Sequence, residues 1–229
     1  RSGVPVFVDN DVNLATLGEK WFGAGRGVRD FIMVSVGTGI GAGIVAGDRL
    51  LRGYNHAAGE VGYMLLGREN LGADFGGHGC LENAPDARPG ASDVRPDPPG
   101  ARAVLDAARR GDRQMRRAVS EVMTDLGIAV ANMVCLLNPQ RVIIGGGVAQ
   151  GGELILEPIC RVVESVAPFA PEVVASPLGL EAGLLGAVGL AARAVVEQLA
   201  TGKAERGAVG DRRERRQRYG VETPPMADH

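Results

Sequence analysis

Cysteine is scarce in this chain of 229 residues, and the three present, Cys80, Cys135 and Cys160, stand far apart. That spacing excludes a disulfide framework and a CxxC metal pair, and it points to a reducing cytoplasm. Long apolar runs are missing too. Each is broken by Gly, Pro or a charge well before the roughly 20 residues that span a bilayer, and no signal-peptide pattern opens the chain, so membrane insertion is not expected. An excess of one charge is also lacking. A formal net charge of -2 gives no overall pull toward nucleic acid, and the basic run Arg212 to Arg218, with no aromatic residue inside it, reads as a solvated tail.

What is present describes one ordinary core with at most an appendage: 45% of residues are hydrophobic and 23% charged, as a folded chain of this length requires. The 35 glycines fall in short clusters without a fixed period. They exclude a collagen-like or simple repeat and mark tight turns and close backbone approaches.

The apolar run Val4-Pro5-Val6-Phe7-Val8 predicts a strand that ends at the polar Asp9-Asn10-Asp11, with a helix following over 11–22. Phe31 to Val36 and Gly43 to Ala46 predict two strands joined by the glycine turn Gly37-Thr38-Gly39-Ile40-Gly41. Five prolines between Pro85 and Pro99 predict an irregular loop or insert over 83–102. Helices are expected over 102–110 and over 112–137, where Val119, Val122, Met123, Leu126, Val130 and Met133 recur at helical spacing. Asn138-Pro139 stops the second of these. A buried-type strand over 141–144 runs into Gly145-Gly146-Gly147, and helices follow over 152–166 and 182–199, the last with small residues on one face. The polar stretch 201–229 predicts a mostly disordered tail. Alternating strands and helices over 1–200 predict a mixed α/β layer fold.

Three groups of residues carry chemistry. The Gly37 to Gly41 turn offers backbone amides unobstructed by side chains, together with the Thr38 hydroxyl, which suits phosphate; no Lys follows, so it is not a Walker A loop. Alone, such a turn is more often a plain hairpin. Asn10-Asp11 places a carboxylate and a hydrogen-bonding amide together, as activation of a sugar hydroxyl for phosphoryl transfer requires. Alternatively, Asp11 simply caps the helix it begins. Glu60, between Gly59 and Gly62, and Glu82, after Gly79-Cys80-Leu81, are carboxylates of the kind that grip sugar hydroxyls, or else ordinary surface glutamates.

In order along the chain, Phe7-Val8-Asp9-Asn10-Asp11-Val12-Asn13, Gly37-Thr38-Gly39-Ile40-Gly41-Ala42-Gly43, Ala58-Gly59-Glu60-Val61-Gly62, Gly79-Cys80-Leu81-Glu82, Val142-Ile143-Ile144-Gly145-Gly146-Gly147 and Ala182-Gly183-Leu184-Leu185-Gly186-Ala187 resemble the motifs of the ROK (repressor, open reading frame, kinase) family. The resemblance implies the C-terminal lobe of an actin-like ATPase (ribonuclease H-like) fold and an ATP-dependent, glucokinase-like sugar kinase. It makes Asp11 the general base and gives Asn10, Asp11, Glu60, Tyr63 and Glu82 to the sugar. Gly37, Thr38, Gly39 and Gly41 would cradle the phosphates of Mg2+-ATP, and Gly145, Gly146 and Gly147 would lie beside the adenosine. A cytoplasmic homodimer is implied as well.

The sequence departs from the family pattern in two places. Tyr63 stands where a zinc-ligating His is usual, and Ala73 and Phe75 replace two of the three expected cysteines, leaving Cys80 alone; His78 falls on a non-ligand position. One thiolate does not make a tetrahedral site, so no zinc is expected. The family's first phosphate motif, Asp-x-Gly-Gly-Thr, has no counterpart here, so the expectation is a truncated chain lacking the N-terminal lobe and inactive by itself. The alternative function is the sugar-sensing domain of a ROK-type transcriptional repressor, with nucleic acid a partner only through an N-terminal winged helix outside this sequence.

Overall fold

A computed structural model describes residues 6–72, 79–83 and 98–201. The expected disordered tail beyond 201 and most of the Pro-rich stretch lie outside the described residues. The chain divides into two compact units. One, Asp9–Leu190, holds every sheet strand; the other combines Arg1–Val8 with Ala191–His229, of which 6–8 and the last turns of a helix are described.

The larger unit is built on a five-stranded sheet in the order β3-β2-β1-β4-β5, with β1 Phe31–Val36, β2 Ile40–Ala46, β3 Arg49–Leu51, β4 Arg141–Gly145 and β5 Glu172–Ala175. Strands β1, β2 and β3 form an antiparallel meander. β4 and β5 add to β1 in parallel, with Phe31 opposite Arg141 and Ser35 opposite Gly145. Alternation sorts the side chains of β1 and β4. Ile32, Val34, Val36, Val142 and Ile144 face a core made by helices α4 (Arg113–Leu137) and α5 (Glu153–Val166). Phe31, Met33 and Ile143 face the opposite way, against Ala15 of α1 (Asp11–Phe22) and Ala182 at the start of α6 (Ala182–Thr201). Both faces are covered, so β1 reads as an apolar run interrupted only by Ser35.

The helix ends follow local chemistry. Asn10 caps α1, its side chain accepting from the amides of Val12 at 2.9 Å and Asn13 at 3.3 Å. Asp112 caps α4 in the same way, through the amides of Gln114 and Met115, and Asn138 ends α4 in the left-handed region, φ 45, where Asn is tolerated.

Several expectations are corrected. Residues 6–8 form no strand, and Val6, Phe7 and Val8 are exposed; an apolar run becomes a strand only through ladder bonds to a neighbour. Helix α3 (Pro98–Arg109) starts four residues earlier than expected, because proline's fixed φ suits a first helical turn. The short strands β3 and β5 were not expected; three or four residues carry too little alternation to read. Two stretches, Arg113–Leu137 and Gly179–Glu197, are long and apolar enough to cross a membrane by length and composition, contrary to the reading of interrupted runs, since glycine does not end a helix. The first is 56% buried and lines the core of this unit.

Helices α1 and α6 meet backbone to backbone. A Cβ on Gly186 would fall 1.7 Å from the Leu14 carbonyl oxygen, and one on Gly18 would fall 2.1 Å from that of Ala182. The small residues expected on one face of α6 are this contact. Gly186→Ala gains helix propensity of roughly 1 kcal/mol but forces the helices apart, so it is expected to lower stability by about 1–3 kcal/mol overall. Gly183→Ala, whose Cβ would meet nothing nearer than 4.0 Å, should be neutral or stabilising. Thermal melts of the two variants check the contrast, and equal melting points would contradict this packing.

Candidate functional site

The site lies where β1 and β4, running parallel, end side by side. Past Val36 the chain turns through Gly37, Thr38 and Gly39 and re-enters the sheet as β2, the Gly37 amide donating to the Gly39 carbonyl at 3.0 Å. Past Ile144 it runs through Gly145, Gly146 and Gly147. Gly146 has φ 77, and a Cβ there would fall 2.3 Å from the Val36 carbonyl oxygen, so the two glycine segments touch. The crevice beyond the carboxyl ends of parallel strands is where such sheets receive ligands.

The glycines of these segments are not equivalent. A Cβ on Gly39 would lie 2.7 Å from the Glu82 carboxylate, on Gly41 3.0 Å from Val12, and on Gly145 2.5 Å from the end of Met33. With Gly146, these four have packing reasons inside the protein. Gly37 and Gly147 have none among the described residues: both are exposed, and a Cβ on either would meet no described atom within 4 Å.

Helix α1 delivers the acidic residues to the same end. Its N-terminal turn crosses the start of β2, with Val12 against Gly41 and Thr16 against Gly43. Asn10 and Asp11 are both exposed there. Asn10 carries the N-cap, so the capping alternative for Asp11 falls chiefly to its neighbour, although Asp11 Oδ1 also lies 2.8 Å from the Val12 amide.

Asp9 is a site residue that sequence reading left without a role. Its carboxylate accepts from Arg52 at 2.5 Å, from Asn13 Nδ2 at 3.1 Å and from the Asn10 amide at 2.9 Å. Burial alone would push its carboxyl up; the bonds from Arg52, Asn13 and the Asn10 amide, with the Arg52 charge, outweigh it and hold the group below the ordinary aspartate range. Nothing in the sequence joined Arg52 to Asp9, 43 positions apart.

The loop after Arg52 returns to β2 through Gly59, whose carbonyl accepts from the Ala42 amide at 2.8 Å. Gly59 has φ 94, and a Cβ would fall 1.7 Å from the Ala42 carbonyl oxygen, so only glycine fits. Glu60 follows and is exposed, and the 3-10 turn Val61–Tyr63 buries Val61 while leaving Tyr63 62% exposed. Gly62 in turn lies against Glu82, and Glu82, on the short helix α2 (Cys80–Asn83), accepts the Ile40 amide at 2.7 Å.

Packing thus links the segments bearing Asn10, Asp11, Glu60, Tyr63, Glu82, the Gly37 to Gly41 turn and Gly145 to Gly147 at one end of the sheet. Of the residues at zinc-motif positions, Cys80 is buried, Tyr63 is a phenol in place of the imidazole, and Ala73 and Phe75 lie outside the described residues, as does the neighbouring His78.

Comparison with known proteins bears on the family and the fold. The ROK family model matches residues 1–194. A glucokinase of Thermotoga maritima is 37% identical over 211 residues, covering 83% of this chain and 67% of that protein. A xylose repressor of Caldicellulosiruptor bescii is 37% identical over 179 residues, covering 71% of this chain and 45% of the repressor. The crystal structure of a ROK family glucokinase from Streptomyces griseus in complex with glucose and AMPPNP superposes with a TM-score of 0.70 at 33% identity, over 84% of this chain and 70% of that one. This chain therefore spans between about half and about two thirds of the length of these relatives. With the family model matched over most of its length, the chain belongs to the ROK family and has the mixed α/β, actin-like ATPase fold of that family's sugar kinases.

Proposed function

We propose that the protein is an ATP-dependent hexose kinase, transferring the γ-phosphoryl group of Mg2+-ATP to a sugar hydroxyl. The observation that carries this reading is the pair of glycines, Gly37 and Gly147, that face open space at the ends of β1 and β4 although nothing among the described residues requires their bareness. A nucleotide laid across the two segments would meet main chain at both places without a side chain in between. Gly37, Thr38, Gly39 and Gly41 would hold the phosphates, and Gly145, Gly146 and Gly147 the adenosine side. ATP supplies the phosphoryl group and Mg2+ offsets its charge.

The protein's own residues do the rest. The exposed Asp11 carboxylate takes the proton of the attacking hydroxyl, and Asn10, Glu60 and Tyr63 orient the sugar. Asp9, held ionised by Arg52 and Asn13, fixes the entry to α1 and so the direction in which Asp11 points. The glucokinase relative aligns over more of this chain than the repressor relative, 83% against 71%, which favours kinase over repressor. From the family likeness we also propose a homodimer in the cytoplasm.

Zinc does not fit. The residues at its usual ligand positions, Tyr63, Ala73, Phe75 and Cys80, offer one thiolate against the four N or S donors a structural zinc takes. Elemental analysis of the purified protein is expected to give far less than one zinc per chain, and a stoichiometric content would refute that assignment.

Two further outcomes test the kinase reading in the full-length protein. Gly37→Ala and Gly147→Ala should fold normally yet raise the KM for Mg-ATP about tenfold, the equivalent of ~1.4 kcal/mol of binding. Gly146→Ala, strained by its positive φ and by Val36, should instead lose about 1–3 kcal/mol of stability. Melting curves beside steady-state kinetics separate the two classes; unchanged nucleotide KM in the first two variants would remove the main support for a phosphate site.

Asp11→Asn keeps shape and most hydrogen bonding while removing the proton acceptor. Turnover should fall about 10²- to 10⁴-fold with little change in hexose KM, and a near-normal rate would leave Asp11 a helix-end residue only.

A further inference from the structure

We infer that Glu19 is a positioning residue for the nucleotide side of the site, acting through Ser176 on the segment that begins with Gly147. The inference rests on the nucleotide role proposed for Gly145 to Gly147. Every residue it uses belongs to the unit Asp9–Leu190.

Glu19 stands in the last turn of α1 and is wholly buried, 0% exposed. Burying a carboxyl group is costly unless hydrogen bonds satisfy it. Among the described residues no Lys, Arg or His forms an ion pair with it. Its partners are instead donors from two different loops. Oε2 accepts the Ala24 amide at 2.7 Å, and Oε1 accepts the hydroxyl of Ser176, 157 positions away. Bare backbone at Gly23 makes room for this, since a Cβ there would fall 2.0 Å from Oε2. A buried hydrogen-bonded pair can often be exchanged for apolar groups of the same shape at little cost, so stability alone does not account for a carboxyl group in this place.

The surroundings of Ser176 give the bond a use. Ser176 follows directly on β5, its amide donates to the Ile144 carbonyl at 2.7 Å, and a Cβ on Gly145 would lie 3.7 Å from its own. Ser176 is thus the neighbour of the strand end from which Gly145 to Gly147 emerge. While its hydroxyl donates to Glu19, the same oxygen accepts the Gly179 amide at 2.9 Å. A hydroxyl has one proton to give; with that proton committed to Glu19, its oxygen stays turned toward Gly179. Gly179, at φ 54, opens the 3-10 turn Gly179–Glu181, which packs against the 3-10 turn Gly147–Gly151. Direct contacts therefore lead from α1 through Glu19, Ser176 and Gly179 to the segment that starts at Gly147. One helix carries Asp11 in its first turn and holds the nucleotide side from its last, which sets the spacing on which transfer between two bound reactants depends.

The test compares Ser176→Ala, Ser176→Thr and Glu19→Asp with the parent in the full-length protein, reading hydrogen exchange at the Gly179 amide together with the KM values for Mg-ATP and hexose. In Ser176→Ala, Gly179 exchange should quicken about tenfold or more as its bond is lost. The KM for Mg-ATP should rise about five- to tenfold while that for hexose moves less than about twofold, a split that a general loss of stability would not produce. Ser176→Thr keeps the hydroxyl and should stay within about threefold of the parent in every readout. Glu19→Asp, one methylene too short for Ser176, should behave as Ser176→Ala does. If it does not fold, Glu19→Gln, which can accept from only one of its two donors, replaces it with the same expected direction. A Gly179 amide as protected in Ser176→Ala as in the parent, a rise in both KM values together, or a parent-like Mg-ATP KM in the Glu19 variant would overturn the inference. Should the parent phosphorylate no hexose, the kinase reading fails, and Gly179 exchange with calorimetric binding of AMPPNP still decides the role of Glu19.

Discussion

The parallel pairing of β1 with β4 is the constraint on which the site depends. Their register, Ser35 opposite Gly145, makes both strands end at the same height, so the turn after Val36 and the segment after Gly145 emerge as neighbours. Gly146 then seals the contact by presenting bare backbone to the Val36 carbonyl. A one-residue slip would turn the side chains of β4 to the opposite face, exchanging Ile143 with Val142 and Ile144 between the two cores. Burial on both sides of the sheet therefore fixes the register, and the register fixes the site.

Onto that frame α1 is seated by glycines rather than by interlocking side chains. Gly41 and Gly43 of β2 admit Val12 and Thr16, while Gly18 lets the α6 backbone approach α1. The helix lies closer to the strand than a side chain at these positions would permit. Its first turn, with Asn10 and Asp11, is consequently held at the edge of the glycine turn without burying either polar group. The cost falls on the unfolded state, since each glycine gives up more conformational freedom on folding than any other residue, and the apolar core between the sheet and α4 and α5 is where that cost is offset.

Much of this was legible in the sequence. The strands β1 and β4, the long helix α4 and the small-residue face of α6 are periodic patterns long enough to read, and Asn138-Pro139 announced the end of α4. Less legible were features that arise from pairs of residues distant in the chain. The bond from Ile40 to Glu82 and the ion pair of Arg52 with Asp9 leave no periodic trace, and β5 became a strand because β4 offered an edge, not because four residues demanded it. Residues 6–8 show the converse, a run with high strand propensity and no strand. The glycines illustrate the limit most clearly. Sequence grouped Gly37, Gly39, Gly41 and Gly145 to Gly147 as one kind of residue, whereas only atoms placed around them separate those that pack from those that face open space.

That separation bears on how such a site works. Phosphoryl transfer asks little covalent chemistry of a protein and a great deal of positioning, and positioning is only as good as the parts that do not move. In the site proposed here the parts nearest the reacting groups would be the softest in composition, Gly37 and Thr38 at the turn and Gly147 after β4, all exposed, with the exposed carboxylates of Asp11 and Glu60 beside them. Each is tied at its base to a fixed partner behind it: the turn through Ile40 to Glu82 on α2, Asp11 through Asn10 to the half-buried Asp9, paired with Arg52, and Glu60 through Gly59 to the buried Ala42 in the sheet. Rigidity is thus supplied one residue behind the site, and the residues in front are left bare enough to meet a ligand by main chain.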